Sequence, residues 1–201
     1  MKSQAMRSWR LAGATLLVLT LSGCGAMMAQ NPGGGLSPVN ATATDETDHL
    51  LLFGADVVAY FEAGQFVQGA PEYHSQYQGV DFHFASAAHK QQFERNPQAF
   101  LPQYGGYCAN GITFGIPWGG NADEFLIRDG KLYIFGGALS RQAFMLDFAT
   151  NRDLADRYWQ QEISGANSFW QRIKRLVLRV PHYQTGQQQA DAVRAAELTG
   201  G

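Results

Sequence analysis

The chain has 201 residues, with 15 Lys or Arg against 17 Asp or Glu and a formal charge of −2. That balance excludes a nucleic-acid binder that works by charge. The two cysteines, Cys24 and Cys108, lie in contexts too different for a shared role.

Lys2, Arg7 and Arg10 precede the apolar stretch from Leu11 to Leu21, which has the length of a signal-peptide core and is too short to span a bilayer. The run Leu21-Ser22-Gly23-Cys24 resembles the bacterial lipobox, in which the cysteine is acylated on sulfur and the chain is cut just before it. Residues 1–23 are therefore expected to be a lipoprotein signal peptide, with Cys24 the lipidation site. Cleavage elsewhere, after Ala29, is the alternative. A cut before Cys24 removes three positive charges and takes the formal charge from −2 to −5. Gly25 follows the cysteine, and by resemblance to Gram-negative sorting this implies the outer membrane, facing the periplasm. An acylated Cys24 cannot form a disulfide, so Cys108 has no partner in its own chain. Outside the cytoplasm such a thiol is oxidised or paired unless it is buried, metal-bound or functional.

Residues 24–49 include Asn31-Pro32-Gly33-Gly34-Gly35-Leu36-Ser37-Pro38, show no apolar period and are expected to be a flexible tether. Residues 50–183 are long enough for one domain with its own core. Val80, Phe82 and Phe84 share one face of a strand, Tyr73, Ser75 and Tyr77 one face of another, and Gln78-Gly79 between them predicts a tight hairpin. Ser86 is placed to cap a helix from Ala87 to Asn96, ended by Pro97, with a further turn to Leu101. Phe125 to Arg128, the turn Asp129-Gly130 and Leu132 to Phe135 predict a second hairpin. Phe144, Phe148, Leu154, Tyr158 and Trp159 are then spaced for a buried helical stripe. Residues 169–180 predict a basic amphipathic helix, with Phe169, Ile173, Leu176, Val177 and Val180 on one stripe and Arg172, Lys174, Arg175 and Arg179 largely off it. It either lies on an anionic membrane as a second anchor or packs on the domain with its basic face solvated. Residues 184–201, with Gln187-Gln188-Gln189, are expected to be a polar tail, disordered or weakly helical. The fold class is α+β, with small antiparallel hairpins first and helices last.

Gly54-Ala55-Asp56-Val57-Val58-Ala59-Tyr60-Phe61, Phe84-Ala85-Ser86-Ala87-Ala88-His89, Phe93-Glu94-Arg95-Asn96-Pro97, Tyr104-Gly105-Gly106-Tyr107-Cys108-Ala109 and Asp129-Gly130-Lys131-Leu132-Tyr133 together resemble the secreted branch of the YHS-domain proteins, with a looser echo at Ala166-Asn167-Ser168-Phe169-Trp170. The resemblance implies a treble-clef-like hairpin–helix unit. In metal-binding relatives two cysteines flank the strand-to-helix step, at positions matching Ala85 and His89 here, so the thiolate cluster is missing and a structural zinc is disfavoured. The secreted branch keeps the cysteine that matches Cys108, and some of its members resemble selenoproteins there, which implies a nucleophile, redox centre or soft ligand.

Three functions follow as expectations. The first is an envelope lipoprotein that binds a transition metal, copper before zinc, through Cys108 with His89 and Asp56. In it Ser86 places His89 in the first helical turn, where the dipole favours a neutral, ligating imidazole. The second is a thiol redox protein in which Cys108 cycles through sulfenic acid or a mixed disulfide with an external thiol. The third is a non-catalytic interaction module with Cys108 as packing. Asp56 is either a ligand or a turn-forming side chain. His74 and His83 fall on one face across the first hairpin, where cross-strand histidines either bind metal or form the polar side of a half-buried sheet. With Met145 the one methionine of the folded region, a methionine-rich copper shuttle is disfavoured.

Overall fold

The computed structural model describes residues 25–199; the expected signal peptide and the expected lipidation site Cys24 lie outside them. After a helical turn over 25–29, the order is β1 (Ala41–Thr42), β2 (Leu50–Leu51), α1 (Ala59–Glu62), β3 (Ala70–Tyr77), β4 (Val80–Phe84) and α2 (Ala87–Arg95). Then come α3 (Ala109–Ile112), β5 (Asn121–Arg128), β6 (Lys131–Phe135), α4 (Ala138–Leu146), α5 (Phe148–Tyr158), a π-turn (Trp159–Ile163), α6 (Ser168–Val177) and α7 (Gly186–Thr199). The molecule is α+β. One sheet has the order β1-β2-β4-β3, with β2 and β4 parallel and the other pairs antiparallel, and β5 and β6 form a separate hairpin.

Both hairpins turn on two-residue loops, Gln78-Gly79 and Asp129-Gly130, in which each residue has positive φ. That is the backbone twist a tight hairpin needs. Ser86 caps α2 by accepting the backbone N–H of His89 at 3.2 Å. Phe93 on that helix is buried among Phe82, Phe84 and Tyr77, with ring centroids 4.6 to 6.2 Å away.

β6 organises the interior because four of its residues in succession are buried. Its side chains alternate between faces. Leu132 and Ile134 join the core made by β4, α2 and the segment from Val39 to Val58, whereas Tyr133 and Phe135 join Tyr104, Tyr107, Phe144 and Phe148 in a second core. The strand is a wall with an apolar cluster on either side.

One segment differs from the sequence expectation, and a second takes the helical of its two expected states. The stretch expected to be a flexible tether packs on the domain: Ala29, Val39, Asn40 and Ala41 are buried. The Asn40 amide donates to the carbonyls of Gly106 and Gly120 at 3.1 and 2.9 Å, and the Tyr107 hydroxyl donates to the Val39 carbonyl at 2.8 Å. The approach is close enough that a Cβ on Gly105 would fall 2.5 Å from the Pro38 carbonyl oxygen. The polar tail, in turn, forms α7, which packs on α4 and buries Gln189 and Val193. Glutamine and alanine carry adequate helix propensity, and the docking surface supplies what composition alone does not reveal.

Candidate functional site

Asp56 and His89 stand together. Asp56 is fully buried. Its Oδ1 accepts the backbone N–H groups of Val58 and Ala59 at 2.9 and 3.2 Å, which starts α1. Its Oδ2 accepts the Ala85 N–H at 2.7 Å and faces His89 Nδ1 at 2.6 Å. Four acceptor directions are thereby filled, about the capacity of a carboxylate. Asp56 is the turn-forming side chain of the two alternatives and the orienting partner of His89. Nδ1 donates to the carboxylate, and Nε2 is the outward nitrogen of a ring that is one-quarter exposed.

Cys108 belongs to a different part of the fold. It precedes α3, its N–H donates to the Trp118 carbonyl at 2.9 Å, and it bridges to Ile134 of β6. α3 packs on β6, α4 and α5, while α2, which carries His89, packs on β3 and β4. The thiol lines an open cleft of about 270 Å³ with Asn110, Trp118, Ser140, Tyr183 and Gln189, closed on one side by α7. The Asn110 amide donates to Gln189 Oε1 at 2.8 Å across it. The lining holds no histidine, carboxylate, lysine or arginine. Thus the structure gathers Asp56 with His89 and leaves Cys108 among neutral partners. Among the described residues no three His, Cys, Asp or Glu side chains are assembled to hold a metal.

His74 and His83 are direct partners across β3 and β4. His83 is 93% buried by exposure of only 7%, and burial, set against Glu46 and Asp81, lowers its pKa below the usual 6.5.

The face of α6 that meets the domain is the polar one. Ser168 N–H donates to Asn31 Oδ1 at 2.7 Å, Gln171 donates to the Gly115 carbonyl at 3.0 Å, and Arg172 donates to the Pro117 carbonyl at 2.8 Å and to Gln30 Oε1 at 2.6 Å. Arg175 and Lys174 both pair with Glu162. Burial raises the pKa of Glu162, but hydrogen bonds from Lys174, Gln171 and Arg175 outweigh it and hold the carboxyl below its ordinary value. The apolar residues point out: Trp170 is 66% and Val177 76% exposed, with Ile173, Leu176 and Leu178 beside them and Met27 and Met28 exposed on the N-terminal turn. Val180 alone of the expected stripe is buried, against Phe114 and Ile116. The expectation of a solvated basic face on a packed helix is therefore corrected: most of the basic side chains are engaged inward and the hydrophobic side is bare.

Sequence reasoning missed Asn40, Ser140 and Gln189, single polar residues whose partners are 66 or more positions away or lie across a cleft. The fold and these sites define an α+β protein with a short N-terminal strap, an apolar core on each side of β6, a smaller cluster around Phe114, Ile116 and Val180, and an outward apolar helix. Comparison with protein-family models, with curated proteins and with solved structures finds no match.

Proposed function

We propose that the chain is a lipid-anchored, YHS-type binding module of the bacterial cell envelope that does no chemistry of its own and lies on the membrane through the outward face of α6. The observation that carries this is the apolar stripe of Trp170, Ile173, Leu176 and Val177 beside an N-terminal turn bonded to the same helix. Asn31 is seven residues from Cys24, so an acyl chain there lies within about 25 Å of Asn31, which bonds the first residue of α6. The apolar face of α6 would add an interfacial contact to that lipid anchor. Exposed Trp with aliphatic neighbours suits the interface between headgroups and hydrocarbon. The treble-clef-like likeness is proposed for β3, β4 and α2, with Asp56 and His89 at the strand-to-helix step in place of thiolates. The neutral surroundings of Cys108 favour packing or a neutral ligand over redox chemistry, which calls for a nearby cation or base.

The test is fluorescence of the mature lipidated protein in vesicles whose lipids carry bromine on the acyl chains. Quenching is expected in the wild type and its Trp170-dependent part should vanish in Trp170→Phe. Equal quenching in the two proteins would overturn the proposal.

A further inference from the structure

The polar side of the β3–β4 hairpin forms one wall of a groove of about 570 Å³, roofed by the loop that carries Glu46 and Thr47. Two-residue alternation from the register puts His74, Gln76, Asp81 and His83 on this side and leaves Phe82 and Phe84 for the core. Glu72 lines the same groove, so three carboxylates face it and no lysine or arginine does. A groove of that charge attracts cations and repels anions.

Within it the two imidazoles are arranged for one ion. Directly paired residues of an antiparallel ladder hold their Cβ atoms about 5 Å apart, a separation that two imidazoles on one face can span around a single metal. His74 Nδ1 lies 2.9 Å from the Pro71 carbonyl oxygen and donates to it, which leaves Nε2 as the nitrogen that can ligate. The ladder slips register between Ala70 and His74, and such a bulge re-aims the side chain beside it. His83 is 7% exposed, lines the groove and makes no hydrogen bond among the described residues. The Nδ1 edge of its ring lies against Gly54, where an added Cβ would be 3.1 Å away. Gly69 allows the strand to sit this close, since a Cβ there would fall 2.4 Å from the His83 backbone. Neither ring nitrogen is among the fully buried polar atoms that lack a partner, so the ring opens to the groove that it lines. Thr47 Oγ1 donates to Asp81 Oδ2 and holds that carboxylate at the edge of the groove.

We propose that this groove binds a borderline transition-metal dication, with His74 and His83 as its two nitrogen ligands. Water completes the shell, since no third His, Cys, Asp or Glu is assembled with the two imidazoles among the described residues. The site is separate from Cys108 and His89, and the inference does not rest on the membrane seat of α6.

Titration of the mature protein with Cu²⁺, followed by electron paramagnetic resonance, tests it. One Cu²⁺ per chain is expected, with hyperfine structure from two nitrogens. His74→Ala, at an exposed position, should weaken binding by about tenfold or more, and His83→Asn should do the same. Cys108→Ser and His89→Ala should leave the affinity and the two-nitrogen signal unchanged. Wild-type protein that takes up no Cu²⁺, or His74→Ala protein that binds as tightly with the same spectrum, overturns the proposal. So does loss of the signal in His89→Ala alone.

Discussion

Asp56 has each acceptor direction in use, and that makes it the side chain on which the strand-to-helix step depends. Asp56→Ala strands three backbone N–H groups and the His89 ring, two of them at the start of α1. A loss of roughly 2–4 kcal/mol is expected in urea unfolding. Asp56→Asn keeps an oxygen for Val58 and Ala59 and should cost clearly less. Equal losses for the two substitutions would show that the charge, and not the acceptor geometry, carries the effect. The motif from Gly54 to Phe61 marks Asp56 in the sequence, and the cap at Ser86 marks His89, so both members of the pair were legible. Their proximity was expected only as part of a metal site with Cys108; the direct hydrogen bond depends on the hairpin that lies within their 33-residue separation. Cys108 shows the converse. Its sequence context suggests chemistry, yet its neighbours Asn110, Ser140 and Gln189 come from three different helices or helix borders and have no joint signature along the chain.

At the scale of elements, the hairpins were legible because turn chemistry and alternation are local. α6 was half legible: periodicity finds a stripe but does not say which side meets the domain. The polar side does, because the surface that receives it offers the Gly115 and Pro117 carbonyls and the Glu162 carboxylate. Glu162 therefore ties α6 to the π-turn. Its folded pKa lies below its ordinary value of 4.5, so its contribution is present above pH 4.5 and is lost as pH falls through the lower folded value. Thermal unfolding of wild-type protein should show this loss below pH 4.5, and Glu162→Gln should flatten that part of the profile. An identical acid limb in both proteins would assign the loss to other carboxylates. α7 follows a related logic, since a glutamine-rich stretch becomes an ordered helix only where α4 and Asn110 give it a surface.

At the scale of the whole molecule, β6 divides the interior and the N-terminal strap crosses the boundary. Asn40 binds Gly105, Gly106 and Gly120 and accepts from Leu52, which links the strap to both halves. Asn40→Ala is expected to cost about 2–3 kcal/mol and to raise hydrogen exchange in residues 30–42, whereas a free tether would exchange fast in both proteins. This strap was read as flexible because the run from Asn31 to Pro38 is rich in glycine and proline and the segment shows no apolar period, and neither signal sees a loop carbonyl 66 residues away. Its packing also bears on the proposed membrane seat: the strap is bonded to Ser168 and Arg172, and the proposal is that a lipid on Cys24 and the bare face of α6 meet a common plane.

That common plane is tested most directly by a spin label at position 173. Cys108→Ser protein carrying Ile173→Cys, labelled and reconstituted in vesicles, should show higher collision with oxygen, which concentrates in the bilayer, than with a water-soluble nickel complex. A label at position 152, on exposed α5, supplies the aqueous reference. Nickel accessibility at 173 equal to that at 152 would contradict the membrane seat of α6.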